Sequence, residues 1–188
     1  IAPPGTARDD DVRAYALNAA SVELLDSLKV WAALPADARC PVYDMRVEGD
    51  AGSASALSFS AWQQQVRELA WIVDAGALQA ELASALRYAP HVEHTVEPVQ
   101  AALQVVAEGR ASVTRERFGV AFATRDYGQR AIAARLITNE PHQGLARQWF
   151  RAPDVLALLP TDRPQAGRGL ALVWSLPAER AQTLLALD

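Results

Sequence analysis

The chain has 188 residues, of which 51% are hydrophobic and 21% are charged. These fractions are typical of a folded globular protein and exclude a disordered chain, a collagen and a bare coiled coil. Eighteen Lys and Arg residues against 22 Asp and Glu residues give a net charge of -4, so no basic surface for nucleic acid or an anionic membrane is expected. No apolar run reaches the ~18 residues that span a bilayer, and no transmembrane segment is predicted. Cys40 is the only cysteine, which excludes an intrachain disulfide and favours a cytoplasmic location.

The first part of the sequence predicts one helix followed by three strands. Residues 1–11 are rich in Pro, Gly and Asp and are expected to form a loop. Apolar residues at spacings of three and four predict an amphipathic helix over 18–34. Alternating apolar and polar residues at 42–47 and 56–59, separated by turn residues, predict a hairpin. A third strand is expected at 69–73.

The middle of the chain predicts a second helix and then irregular structure. Asp74 is placed to cap a helix that has its leucines on one face and ends before Pro90. The short apolar run Leu103-Gln104-Val105-Val106 predicts a buried strand, and Gly109 predicts the turn after it.

The last part of the sequence predicts a sheet. Four β-type segments follow one another at 130–138, 145–150, 155–159 and 170–175. Strands joined by short connections pair antiparallel. Pro177 then opens a last helix. The predicted fold class is therefore α+β, with a mainly antiparallel sheet flanked by helices.

The sequence lacks the signatures of common catalytic and phosphate-binding sites. The nearest match to a nucleophile elbow, before Ser112, has no second Gly. His91 and His94 have a spacing that could bind zinc on a helix, but this segment has no helical periodicity and no second ligand pair. A surface loop is the preferred interpretation, and no metal site is predicted. Gly167-Arg168-Gly169 lacks the third Gly and the helix of a nucleotide-binding loop.

Three blocks of sequence carry a family resemblance over nearly the whole chain. The first is Asp11-Val12-Arg13-Ala14-Tyr15-Ala16-Leu17-Asn18. The second is Val106-Ala107-Glu108-Gly109-Arg110-Ala111-Ser112, with Arg115 and Gly119 after it. The third comprises Tyr127-Gly128-Gln129-Arg130-Ala131-Ile132 and, in order, residues 140–142, 146–150, 156–160 and 173–175. In this order they resemble the ubiquinone-biosynthesis hydroxylases, a family of flavin-dependent aromatic hydroxylases, with Glu108 in place of an Asp in the family's Asp-Gly fingerprint.

The resemblance implies the substrate domain of the para-hydroxybenzoate-hydroxylase-like fold. It also implies a flavin-dependent monooxygenase that hydroxylates a polyprenylated phenol in ubiquinone biosynthesis, with FAD, NAD(P)H and O₂. The alternative is a non-catalytic binding or assembly module that keeps the substrate domain without FAD. An aromatic small molecule, with or without a polyprenyl tail, is the expected partner, and a polyprenylated substrate would place the protein at a membrane surface.

The sequence departs from the family in two places. The N-terminal Gly-rich turn and the C-terminal Gly-Asp segment, which hold FAD in such enzymes, are not found in it. The chain is therefore expected to be a fragment that binds no FAD by itself. Residues 1–35 are expected to be a flavin-domain remnant with a helix, and residues 36–188 the substrate-binding domain, with 74–120 partly a flavin-domain remnant. Because a fragment leaves its pocket face uncovered, self-association through that face is expected.

The resemblance also implies site residues, although it leaves the catalytic residues unknown. Arg13 has the family role of reaching the flavin; by its sequence context alone it is a surface arginine beside acidic residues. Glu108, Gly109 and Arg115 are expected to border the dinucleotides. Tyr127, Gln129 and Trp149 are candidates for the substrate pocket, because one face of the sheet must meet the flavin. Core packing accounts equally well for these last three.

Overall fold

The computed structural model describes residues 11–50, 52–95 and 99–187, which divide into two compact units. The smaller unit spans residues 93–127 and contains the short helix α4 (Val113–Arg117). The larger unit comprises the rest of the described chain and contains two sheets.

A three-stranded sheet forms the first part of the larger unit. Its strands are β1 (Ala14–Leu17), β2 (Arg39–Val42) and β5 (Ala70–Asp74), arranged in the order β1-β5-β2 with both pairings antiparallel. Because β1 pairs with β5, the predicted domain boundary at residue 35 runs through one sheet.

Four helical segments accompany this sheet. They are α1 (Ala19–Ser27), α2 (Val30–Ala33), a 3₁₀ helix (Ala36–Ala38) and α3 (Ala75–Arg87). The side chain of Asp74 caps α3 as predicted, because its Oδ1 accepts from the backbone N–H of Ala77 at 2.9 Å. Val30, Leu34, Val73 and Leu78 form the buried core between these helices and the sheet.

The predicted helix over 18–34 is divided into α1 and α2. Asn18 caps its start by accepting from the Ser21 N–H at 2.9 Å. Lys29 adopts a left-handed conformation with φ 62°, which cannot continue a right-handed helix. The division turns α2 so that Val30 is buried while Leu28 stays 53% exposed.

A six-stranded sheet forms the rest of the larger unit. Its strands are β3 (Asp44–Gly49), β4 (Gly52–Ser60), β6 (Gln129–Ile137), β7 (Leu145–Arg151), β8 (Asp154–Thr161) and β9 (Gly169–Pro177). The order is β4-β3-β7-β8-β9-β6, and four of the five pairings are antiparallel; β3 and β7 are parallel. Helix α5 (Ala178–Leu185) follows β9. The prediction of a mainly antiparallel sheet flanked by helices is confirmed.

The two sheets pack against each other through one face of the six-stranded sheet. Met45, Ala146 and Leu159 lie on this face and contact Val42 and Ile72 of the three-stranded sheet. We call this face the inner face and the opposite one the outer face. Because side chains alternate along a strand, each residue of the six-stranded sheet can be assigned to one face.

The predicted buried strand at 103–106 does not form. Its residues have no strand assignment, and the side chains of Leu103 and Val105 are each 78% exposed. A four-residue apolar run has too little periodicity to specify a strand, and no described strand pairs with it.

Candidate functional site

Arg13 lies immediately before β1 and pairs with Asp11. Its Nε is 2.9 Å from Asp11 Oδ1 and its terminal nitrogen 2.7 Å from Asp11 Oδ2. Hydrogen bonding to Arg13 lowers the pKa of Asp11 to about 2. The Arg13 side chain remains 59% exposed, so the guanidinium is fixed in position while one side of it stays open to solvent.

A buried arginine connects the backbone of Arg13 to the six-stranded sheet. Arg135, on the inner face of β6, donates to the carbonyl oxygen of Arg13 at 2.8 Å and to Asp74 Oδ2 at 3.0 Å. It also donates to the Thr161 hydroxyl at 3.3 Å. Burial lowers the pKa of Arg135, while the Asp74 carboxylate opposes that shift. The side chains of Arg135 and Asp74 are each only 13% exposed.

Asp74 extends these contacts to a second arginine. Its Oδ1 lies 3.6 Å from a terminal nitrogen of Arg163, which forms two hydrogen bonds of 3.0 Å with the carboxylate of Asp37. These bonds lower the pKa of Asp37. We call Arg135, Asp74, Arg163 and Asp37 the Arg135 network; it joins β6, β5, the loop after β8 and the 3₁₀ helix. Sequence reasoning missed it, although an arginine that follows Ala131 and Ala133 on the same strand face is a signal that could have been read.

An apolar surface adjoins this network on the inner face. It consists of two neighbouring rows of residues that the strand register places side by side: Leu57, Val47, Gln148, Ala157, Val173 and Ala133, then Phe150, Val155, Ser175 and Ala131. We call these ten residues the shelf. The first row lies next to the residues that pack on the three-stranded sheet, two positions further along each strand. The second row lies two positions beyond the first. Leu57, Phe150 and Val173 are 61%, 45% and 36% exposed.

Two of the three predicted pocket residues lie on opposite faces of the six-stranded sheet. Gln129 is on the inner face at the end of the shelf, where its Oε1 accepts from Ser175 Oγ at 2.6 Å and its Nε2 donates to Pro153 O at 3.0 Å. Trp149 lies between Gln148 and Phe150 on β7, so it is on the outer face and cannot line a pocket with Gln129. Tyr127 belongs to the smaller unit and is 83% exposed.

The remaining predicted residues form a compact turn within the smaller unit. The carboxylate of Glu108 accepts from Ser112 Oγ at 2.8 Å, from the Thr114 N–H at 3.0 Å and from the Thr114 hydroxyl. These bonds, led by the one from the Thr114 hydroxyl, lower the pKa of Glu108. Gly109 has φ +80°, which favours glycine, and no atom of a described residue lies within 4 Å of where a Cβ would stand.

Arg115 completes this turn. It donates to the carbonyl oxygens of Gly109 at 3.4 Å and Arg110 at 2.9 Å, and its guanidinium carbon lies 4.2 Å from the centre of the Phe122 ring. Its Nε is buried and, within the described chain, has no hydrogen-bond partner. The structure thus brings Glu108, Gly109 and Arg115 together, each engaged mainly with its own loop.

The sequence predicts no metal site, yet the structure brings three potential ligands together in the larger unit. Cys40 Sγ is 3.9 Å from His142 Nε2, which is 3.6 Å from Asp162 Oδ1. We call these three side chains the Cys40 cluster. His142 Nδ1 accepts from the Gly144 N–H at 3.0 Å, so in the neutral ring Nε2 carries the proton. A metal-bound imidazole instead donates from its other nitrogen. The cluster is therefore a hydrogen-bonded anchor for the loop that carries His142.

Comparison with known proteins finds a curated relative that matches nearly the whole chain. The chain is 28% identical, over an alignment of 198 positions, to the ubiquinone hydroxylase UbiL of Rhodospirillum rubrum, covering 94% of this chain and 44% of that protein. The chain is similar to part of a ubiquinone hydroxylase. This similarity confirms the resemblance predicted from the sequence, and the chain spans less than half the length of this relative. No protein-family model matches it.

Solved structures support the same fold. PqsL of Pseudomonas aeruginosa, described as a probable FAD-dependent monooxygenase and also solved with 2-aminobenzoylacetate, superposes with a TM-score of 0.72 at 17% identity, over 96% of this chain and 55% of that one. HpxO of Klebsiella pneumoniae, solved with FAD and uric acid, has a TM-score of 0.61 at 16% identity, over 91% of this chain and 49% of that one. The predicted fold class is confirmed. Within the described residues, no helix has the length and apolar character needed to cross a bilayer.

Proposed function

We propose that this chain forms the substrate-binding part of a flavin-dependent monooxygenase that hydroxylates a phenol, with a polyprenylated phenol of ubiquinone biosynthesis as its substrate. FAD, reduced by NAD(P)H, would supply the oxygen-activating chemistry. The chain's own task is to bind the aromatic ring, orient it and exclude water from it. The polyprenyl tail would bring the protein to a membrane surface from the cytoplasm.

The observation that carries this proposal is the position of the shelf. It is an apolar, partly exposed surface on the inner face, beside the network that fixes the backbone of Arg13. An aromatic ring resting on the shelf would bury apolar surface on both partners. It would also lie on the side of the sheet that carries Arg13, the residue with a family role in flavin contact.

Polar groups within the shelf suit a phenol. Gln148 lies in the middle of the first row, and its amide has no hydrogen-bond partner in the described part of the chain. It can donate to a phenolic oxygen or accept from the hydroxyl. We propose that Gln148 orients the ring, and that Gln129 and Ser175 close the polar end of the same surface.

Each unit, taken by itself, contains residues that are compatible with contact to FAD. In the larger unit, the exposed guanidinium of Arg13 can donate to an acceptor of the cofactor. In the smaller unit, Gly109 and Arg115, whose Nε has no partner among the described residues, belong to a turn that can donate to a dinucleotide. Because Glu108 is engaged with Ser112 and Thr114, we propose that it shapes this turn and does not itself bind a cofactor hydroxyl.

The test uses the protein encoded by the complete gene. We expect a flavin spectrum, and NAD(P)H oxidation that a polyprenylated phenol stimulates. Gln148→Leu should raise KM for the phenol more than it lowers kcat, and Val173→Glu should abolish stimulation while flavin content is retained. Arg151→Glu, on the outer face of β7, is the matched surface control. It should change neither the KM for the phenol nor the stimulation of NAD(P)H oxidation.

Two results would contradict the proposal in different ways. A protein that binds the phenol but holds no flavin would favour the non-catalytic binding or assembly module. A flavoprotein in which Val173→Glu and Gln148→Leu leave phenol stimulation unchanged would place the substrate somewhere other than the shelf.

A further inference from the structure

A cavity of about 310 Å³ lies on the outer face of the six-stranded sheet, away from the shelf. Its lining combines residues of β7, β8 and β9 with residues of the loop that precedes β7, among them Arg147, Trp149, Leu158, Leu170, Glu140 and His142. The cavity is at the lower end of the size range of small-molecule sites.

The loop over this cavity is fixed by hydrogen bonds. The Thr138 hydroxyl lies 2.7 Å from Glu140 O and 3.1 Å from Arg168 O and can donate to either, and the His142 N–H donates to Gly167 O at 2.9 Å. Cys40 and Asp162 contact the His142 ring, and only 7% of that side chain is exposed. The cavity is therefore preformed, which limits the entropy lost when a ligand binds.

Arg147 gives the cavity a charged group that no described residue neutralises. Its neighbour on β3, Arg46, is paired with Glu48 at 2.9 Å. In the described chain, Arg147 forms no ion pair or hydrogen bond, and this includes Glu140, the one carboxylate in the lining. The indole N–H of Trp149, two residues further along the same face, likewise has no partner among the described residues.

We propose that this cavity binds a small carboxylate with an apolar, aromatic body. The guanidinium of Arg147 presents two parallel donors that match a carboxylate. The ring of Trp149 and the side chains of Leu158 and Leu170 supply an apolar wall of the right size for one aromatic ring. The site is on the opposite sheet face from the proposed substrate surface, so it stands independently of the proposed function.

The test is a calorimetric titration of the full chain with 4-phenylbutyrate and with its uncharged amide, 4-phenylbutyramide. The acid should bind about tenfold more tightly than the amide, since a hydrogen bond to a charged group is worth about that factor. Arg147→Met should weaken the acid about tenfold and leave the amide unchanged. Arg151→Met removes the same charge from the same strand and face, outside the cavity lining, and should change neither affinity.

Three results of the titrations of the unmodified chain and Arg147→Met would overturn the proposal. They are no binding of the acid at millimolar concentration, equal affinities for acid and amide, and an unchanged acid affinity in folded Arg147→Met. The comparison of acid with amide needs no substitution, so it decides the matter even if the variant does not fold. Leu158→Trp, which fills the cavity, should abolish binding of both compounds; retained binding would place the ligand elsewhere.

Discussion

Arg135 provides a polar contact between the two sheets. Its replacement by Met keeps much of the side-chain volume but removes the donor to Asp74 Oδ2 and to the Arg13 carbonyl. Removing one partner of a largely buried ion pair costs about 3 kcal/mol. We expect Arg135→Met to lower the free energy of unfolding in urea by about that amount. The exposed Arg151→Met should change it by less than about 0.5 kcal/mol; equal effects would mean that the network adds nothing specific.

Cys40 should make the free energy of unfolding fall as the pH rises above about 9. Burial, helped by the Asp162 charge, raises the pKa of its thiol from 9.0 to about 12. Below pH 9 the thiol is neutral in both folded and unfolded chains, so this group causes no pH dependence there. Between about pH 9 and 12 the unfolded chain ionises first, and the free energy of unfolding should fall. Urea titrations over this range should show a shallower fall for Cys40→Ser, and identical profiles would contradict the assignment.

The sequence indicates some site residues but not their arrangement. Arg13 could be selected because it lies in a block with a family resemblance. Arg135 and Asp162 could not be selected, because their roles depend on contacts with residues far away in the sequence. Arg135 contacts Asp74 and Arg13, which are 61 and 122 positions away. Asp162 contacts His142, which is 20 positions away. Trp149 and Gln129 were expected in one pocket, and only the strand register shows that they face opposite ways.

At the scale of elements, the loop that enters β7 depends on Gly144. It has φ +69°, and a Cβ there would stand 2.7 Å from Tyr43 Cδ2 and 3.1 Å from Pro41 O. Gly167 has a similar φ of +72° with nothing within 4 Å of a Cβ, which makes it the matched control. Gly167→Ala should cost about 1 kcal/mol from backbone strain. Gly144→Ala should cost about 3 kcal/mol, because overpacking adds to the strain.

Thermal unfolding of the two alanine variants measures the difference directly. If both glycines respond equally, the contact with Tyr43 relaxes freely and only the backbone conformation matters. A larger loss of stability in Gly144→Ala than in Gly167→Ala, together with weaker pairing of β3 with β7, would show that Gly144 fixes where the two strands meet.

Most elements follow from local sequence patterns, and the exceptions have physical causes. The hairpin of β3 and β4, the cap at Asp74 and the four later strands could all be predicted, because alternation and turn residues are local signals. The break at Lys29 could not, since lysine has no preference for a left-handed conformation. The parallel pairing of β3 with β7 was also unpredictable, because it joins strands far apart in the chain.

At the scale of the whole molecule, the exposed shelf should make the 188-residue chain self-associate. Apolar surface in water is unfavourable by about 25 cal/mol per Å², and association would bury it. Light scattering over a concentration series should show a rising mass, which Leu57→Glu suppresses. Trp149→Glu, on the outer face, should not suppress it. A chain that stays monomeric at all concentrations would mean that the shelf does not drive association.

The parallel pairing of β3 with β7 has a consequence for how the chain tolerates change. Asp44 pairs with Leu145, so closing the six-stranded sheet also closes a loop of about a hundred residues. Loop-closure entropy rises only with the logarithm of length, and doubling such a loop costs about 0.6 kcal/mol. Insertions or deletions between α3 and β6 should therefore leave the sheet almost as stable as before. The same long-range pairing raises the contact order, so the chain should fold slowly whatever the length of that segment.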